Sequence, residues 1–174
     1  RNRAPRRITK GQEGEELSVE LEIKLLADVG LIGKPNAGKS TLISTISKSR
    51  PKIAEYPFTT IEPNLGVVDL GGEFTCVVAD IPGLILGAHS GKGLGHQFLK
   101  HIERCSLLLH LLDSTSPTEA VFEDFDSISR ELELFSKDLI FKKRVCVLTK
   151  VDVIDTKDKI SILRKGLKRR GFHT

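Results

Sequence analysis

Tryptophan and methionine are absent from this sequence of 174 residues, and tyrosine occurs once. Its core must therefore rest on aliphatic side chains. No apolar run reaches the ~18–20 residues of a helical membrane span, and none stands near the amino end. There Arg1-Asn2-Arg3-Ala4-Pro5-Arg6-Arg7 leads into Thr9-Lys10-Gly11, not into the apolar stretch of a signal peptide. Cysteine is scarce as well. Cys76, Cys105 and Cys146 are an odd number, widely separated, each in or beside an apolar run. Reduced core thiols are expected, rather than a disulfide frame or a zinc site. These absences describe a soluble intracellular domain. The length suits one domain, and the missing initiator Met predicts a chain cut from something longer.

Hydrophobic residues make up 39% of the chain and charged residues 29%, a globular balance. The net charge of +4 is gathered at the ends. Residues 1–10 hold five basic groups and no acid, and residues 157–174 hold seven against Asp158. Basic ends on a near-neutral body are compatible with contact to an RNA backbone, and equally with two solvated ends.

Buried strands alternate with helical patterns along the chain. Leu25–Ile32 reads as a strand, followed by a glycine-rich turn and a short helix from Ser40 to Ser47. Gly66–Leu70 and Phe74–Ala79 are joined through Gly71-Gly72, a hairpin signal. Leu107–Leu112 and Val145–Leu148 are further strands. Between them, over Glu119–Leu139, Phe122, Phe125, Ile128, Leu132, Phe135 and Leu139 step by 3, 3, 4, 3 and 4, which predicts one helix. Thr156–Arg170 is a last, basic helix. This order predicts an α/β fold with a mainly parallel sheet and one antiparallel hairpin strand. A ligand would sit at the carboxyl ends of its strands. Residues 1–22 match no α/β unit and read as the tail of a preceding domain, with residues 23–174 as the domain proper.

Gly33-Lys34-Pro35-Asn36-Ala37-Gly38-Lys39-Ser40 fits the P-loop pattern, with a strand before it and a helix after it. Gly33 and Gly38 let backbone N–H groups close around phosphate oxygens at a helix amino end. Lys39 would set its ammonium on the β and γ phosphates, and the Ser40 hydroxyl can ligate Mg2+. Thr41 completes this phosphate-binding stretch. Asp80-Ile81-Pro82-Gly83 leaves the Phe74–Ala79 strand. Asp80 can hold Mg2+ through a water, and the Gly83 N–H can bond the γ-phosphate, so that hydrolysis releases the loop. Tyr56-Pro57-Phe58-Thr59-Thr60 lies before the second strand, where either threonine can complete the magnesium shell and Phe58 lines the site. Thr149-Lys150-Val151-Asp152 follows the Val145–Leu148 strand. Asp152 can accept from both the N1–H and the exocyclic amine of guanine, which favours GTP over ATP. Gly91-Lys92-Gly93-Leu94-Gly95 follows no strand and reads as a hinge rather than a dinucleotide fingerprint. His89, His96 and His101 suit no metal site.

With these residues the chain resembles the Obg family of GTPases over nearly its whole length. The strings that carry the resemblance are Asn2–Arg6, Leu25–Gly33, Tyr56–Thr60, Pro63–Val68, Asp80–Ile85, Gly87-Ala88, Gly91–Gly95 and His101–Arg104. It implies a P-loop NTPase with a Ras-like G domain, in which Ser40, Asp80 and Thr60 are the magnesium residues. Thr60 falls where the family's switch threonine sits. It also implies slow hydrolysis of GTP to GDP by a monomer that binds the rRNA and proteins of the large ribosomal subunit during its assembly. A link to stringent-response nucleotides follows, in a bacterial cytoplasm or an organelle of bacterial descent.

Two departures from the family pattern, and one from Ras-like switches, shape the expectations. Thr149 stands where Asn is usual; the GTPases of the signal-recognition particle also use Thr there, so guanine stands, with a lower affinity expected. The Ser-Ala pair that cradles the base on a last strand has no counterpart before Thr174, which predicts a domain truncated before that strand and a guanine pocket not fully formed. Leu84 stands after Gly83, where a water-orienting Gln is found in Ras-like switches. Asn36 can then hold K+ against the phosphates, or merely cap the loop turn; Lys39, Thr60 and Asn36 are the candidate catalytic residues. Two other readings compete: a P-loop ATPase or kinase, disfavoured by Asp152 and the lack of an arginine-rich lid, and a nucleotide-binding module without useful turnover.

Overall fold

The computed structural model describes residues 11, 14, 16–18, 27–47, 64–80, 102–153 and 157–172, and the backbone of 52–53. Six strands form one sheet: β1 (Ala27–Ile32), β2 (Lys52–Ile53), β3 (Asn64–Gly71), β4 (Phe74–Asp80), β5 (Cys105–Asp113) and β6 (Arg144–Thr149). Their order is β2-β3-β4-β1-β5-β6. β1 pairs in parallel with β4 and β5, and β5 in parallel with β6. β3 runs against both its neighbours. This is the mainly parallel sheet with one antiparallel strand that the alternating pattern predicts. The central position of β1 explains its sequence, since a strand covered on both faces reads as a nearly unbroken apolar run.

The helices are α1 (Lys39–Ile46), α2 (Thr118–Phe135), α3 (Lys137–Phe141) and α4 (Lys157–Arg169). On one face of the sheet Leu31, Val78 and Leu111 pack with Ile43 of α1 and Ala37. On the other, Leu112 and Cys146 pack with Val121 and Phe125 of α2 and with Leu163 and Leu167 of α4. Farther along α2, Ile128 and Leu132 meet Ile32, Ala79 and Leu108. Successive residues of each strand thus supply both layers.

The hairpin turn falls at Gly71 and Gly72, both in the left-handed region (φ 93° and 67°) that glycine occupies without a Cβ penalty. Two expectations need correction, and one strand has no counterpart in the sequence pattern. The helix predicted over Glu119–Leu139 is two, broken at Ser136 (φ −152°, ψ 130°), whose N–H still donates to the Leu132 carbonyl at 3.1 Å. The Ser136 Oγ then caps α3 by accepting from the Asp138 N–H at 3.3 Å. Leu139 nevertheless reaches the core, which is why the apolar spacing runs on across the break. The two-residue β2 was too short to carry a pattern. Cys105 and Cys146 are buried free thiols, but Cys76 is only half-buried. The proposed tail, residues 1–22, lies almost wholly outside the described residues.

One core side chain is out of keeping with its neighbours. His110 is fully buried on β5, stacked on Phe125 with ring centroids 5.4 Å apart. The Arg144 guanidinium lies 5.1 Å from the Phe125 ring and 4.2 Å from that of Phe172. Neither imidazole nitrogen has a hydrogen-bond partner among the described residues. Burial, and after it the charge of Arg144, push the His110 pKa down to about 3 from an ordinary value of 6.5. The folded ring stays neutral where the unfolded chain takes up a proton. The stability it contributes is therefore complete above pH 6.5 and is lost as pH falls toward 3, at about 1.4 kcal/mol per pH unit. Urea unfolding between pH 7 and pH 5 should show a steeper loss in the native chain than in His110→Phe. Equal slopes would show that His110 is not the group that takes up the proton.

Candidate functional site

Two loops at the carboxyl ends of neighbouring strands are tied to one another. After β1 the chain turns at Gly33, whose φ is 153° and where a Cβ would lie 2.6 Å from the Leu111 carbonyl oxygen. Only glycine allows the loop to press this closely against β5. Asn36 and Gly38 are also left-handed (φ 64° and 92°), and the Ala37 N–H donates to the Lys34 carbonyl at 3.2 Å. α1 starts immediately afterwards with no side chain capping it. Its first N–H groups are thus left for an anion.

Lys39 folds back over this loop, its Nζ donating to the carbonyls of Gly33 at 3.0 Å and Lys34 at 3.1 Å. Burial lowers its pKa and the nearby Asp80 carboxylate opposes that shift. The Ser40 Oγ donates to Asp80 Oδ2 at 2.6 Å. Asp80 closes β4 and is only 3% exposed, and its other oxygen, Oδ1, is buried without a hydrogen-bond partner among the described residues. A buried carboxylate with one orphaned oxygen beside a hydroxyl fits a hard cation. Mg2+ takes one or two such protein oxygens and completes its octahedron with water and phosphate. No larger group of metal-ligating acids, histidines or cysteines occurs among the described residues.

The strand that brings Thr149 to the loop is β6. Its Oγ1 lies 2.9 Å from the Ala37 carbonyl and 3.2 Å from that of Leu112. Buried Ser114 donates to the Thr149 carbonyl through both its N–H and its hydroxyl. Lys150 is left-handed (φ 57°) and its Nζ meets Asp113 Oδ2 at 2.6 Å. Asp113 also accepts from the N–H and Oγ1 of Thr115. Burial pushes the Asp113 carboxyl up, but the hydrogen bonds from Lys150 and Thr115 outweigh it and hold the group below its usual range. Asp152 stands on a 3-10 turn, Val151–Val153, exposed and free of partners among the described residues. Val151 is likewise exposed.

The structure thus brings Gly33–Thr41, Asp80 and Thr149–Asp152 to one end of the sheet. Phe58, Thr59, Thr60, Ile81, Pro82 and Gly83 lie outside the described residues, as do Gly91–Gly95, His89, His96 and His101. Sequence reasoning missed the support around the loop. Lys34 Nζ pairs with Asp124 of α2 at 3.3 Å, and a cavity of about 70 Å3 between them is lined by Ala37, Asp113, Ser116 and Ile128. The polar run Asp113-Ser114-Thr115-Ser116 at the end of an apolar strand was the available signal.

Residues 28–150 match the family described as 50S ribosome-binding GTPase. The chain is 55% identical over 171 residues to the GTPase Obg of Anaeromyxobacter sp. (strain Fw109-5), covering 97% of this chain and 48% of that protein. It is 56% identical over 172 residues to the GTPase Obg of Thermodesulfovibrio yellowstonii, covering 98% and 51%. The chain therefore spans about half the length of these curated relatives. Among solved structures, the G domain of the FeoB iron transporter of T. maritima has the same fold (TM-score 0.57, 23% identity, 83% of this chain and 82% of that one).

The Thr149 hydroxyl has one proton, and the shorter contact assigns it to Ala37, so the side chain fastens the phosphate loop to β6. Thr149→Val keeps the shape and removes that bond, worth about 1 kcal/mol net. GDP affinity measured by calorimetry should fall about five-fold, while Thr149→Asn, with two donors, should hold it. Unchanged affinity in Thr149→Val would show that the tie does not position the loop.

Proposed function

The chain belongs to the Obg family of ribosome-binding GTPases, and we propose that it is a Mg2+-dependent switch that binds GTP, hydrolyses it slowly, and acts in assembly of the large ribosomal subunit. Residues 23–174 would be the GTP-binding domain of the whole protein and residues 1–22 the tail of a preceding one. The observation that carries this reading is the Ser40–Asp80 pair beside Lys39, with the Asp80 Oδ1 left open. No helix among the described residues is long and apolar enough to cross a membrane.

In this reading, the backbone N–H groups of Gly33–Ser40 cradle the phosphates. Lys39 exchanges its two carbonyl acceptors for β and γ phosphate oxygens, replacing contacts charged on the donor side alone by contacts charged on both sides. Ser40, Asp80 and Thr60 hold Mg2+, which when bound supplies positive charge against the phosphates. Gly83 senses the γ-phosphate. Asp152 reads the N1–H and amine of guanine. Lys150, in its left-handed turn, keeps the base-reading segment in line with β5 through Asp113. Leu84 has no group to orient water, so intrinsic turnover is slow. Asn36, exposed and free of partners among the described residues, would take K+ at the loop. The ribosome and the stringent-response nucleotides are the partners expected from the family.

Base reading is tested with Asp152→Asn, which turns a double acceptor into a mixed donor and acceptor. The ratio of GTP to xanthosine triphosphate affinity should fall by tenfold or more, and Lys39→Ala should lose both nucleotides. A ratio that stays at its native value would remove Asp152 from base recognition. Turnover at equal ionic strength should be faster in KCl than in NaCl, and the difference should vanish in Asn36→Ala. Equal rates in both salts would exclude the potassium role.

A further inference from the structure

α4 carries more positive charge than its contacts use. Its inward side is spent on the core, with Leu163 and Leu167 fully buried. Two cations at its ends are committed. Lys159 Nζ donates to the carbonyls of Thr115 at 3.3 Å and Ser116 at 2.7 Å. Arg170 pairs with Asp126 at 3.2 Å and lies 4.4 Å from the centre of the Phe122 ring. Arg164 lines a groove along β6 with Ile160 and Val151. The remaining four, Lys157, Lys165, Lys168 and Arg169, are exposed and have no ion pair or hydrogen bond among the described residues. At about 100° per residue they fall within a sector of about 120° directed away from Leu163 and Leu167, and they span about 18 Å of helix. Asp158 is the single acid among them.

Local energetics do not account for this sector. Cations in the last turn are favoured by the helix dipole, which covers Lys168 and Arg169. Lys157 stands in the first turn, where that dipole disfavours it. Lys165 and Arg169 are a like-charge pair four residues apart, which destabilises a helix. Four aligned, unpaired cations are suited to an extended polyanion. A membrane surface would also require apolar side chains on the same side of the helix, whereas the leucines of α4 are buried and Ile162 alone is strongly exposed.

We infer that the outer face of α4, through Lys157, Lys165, Lys168 and Arg169, is a docking surface for an RNA sugar–phosphate backbone. The inference rests on the ribosome-binding reading above and assigns the contact to one surface. Lys159 anchors that surface to the segment after Asp113, the residue that also holds Lys150, so the RNA contact sits on the scaffold of the base-reading motif.

The test is fluorescence anisotropy of a 16-base-pair RNA hairpin bound by the 174-residue chain across a KCl series. Each phosphate contact contributes about 0.9 to the slope of log K against log salt. Replacing the four residues by Gln should lower the slope by about 3.6, and Lys165→Gln alone by about 0.9. Melting temperature and GDP affinity should stay at native values in both variants. A slope unchanged in both variants would overturn the proposal. So would variants that lose binding to phosphatidylserine vesicles while keeping the native RNA slope. Sedimentation with large ribosomal subunits separates the two readings. If the fourfold variant sediments as well as the native chain, the surface is wrong and ribosome binding stands. If the native chain fails to sediment while the hairpin slope still falls by about 3.6 in the fourfold variant, ribosome binding is wrong and the surface stands.

Discussion

The hydrogen bond from Ser40 to Asp80 is the contact on which the site depends. It joins the start of α1 to the end of β4 across the carboxyl edge of the sheet, at 2.6 Å. A carboxylate that is 3% exposed with one oxygen unpartnered is an unfavourable feature for a protein to keep, costing on the order of 1–3 kcal/mol or more. It makes physical sense where a ligand completes the shell, and strain or desolvation of this kind gathers at functional sites. The parallel pairing of Leu31 with Asp80 sets where that carboxylate ends up. The glycine turn at Gly33, pressed onto the Leu111 carbonyl, sets where Ser40 ends up.

A second brace works in the other direction along the edge. Thr149 reaches from β6 to Ala37, and Ser114 from the end of β5 to Thr149. The phosphate loop is therefore held by β4 on one side and by β5 and β6 on the other. The Gly33–Ser40 loop and the Thr149–Asp152 segment are thus braced together at one end of the sheet, and α4 is fastened to the segment after Asp113 through Lys159.

Much of this was legible in the residues, for physical reasons that can be named. Gly33, Gly38, Lys39 and Ser40 carry a spacing that only phosphate chemistry requires, and β1 announces itself because both of its faces are buried. Asp80 and Asp152 follow apolar runs, and strand ends are where a parallel sheet collects its polar groups. The break at Ser136 was hidden because the helical period resumes in step and Leu139 still lands in the core. The compensation at Thr149 was hidden too. Its substitution for Asn looked like a loss of guanine affinity, but a hydroxyl at that register meets the Ala37 carbonyl, and register across 112 residues cannot be read from a motif. The Lys34–Asp124 pair and the buried His110 depend likewise on how α2 lies on the sheet.

Asp80→Asn tests the central claim most directly, because it removes the negative charge and keeps the size of the group. GTP affinity is measured by calorimetry with and without Mg2+, in the native chain and in the variant. The account predicts that Mg2+ strengthens GTP binding at least tenfold in the native chain and has little effect in the variant, with Mg2+-free affinity nearly equal in the two. An undiminished Mg2+ effect in Asp80→Asn would contradict it.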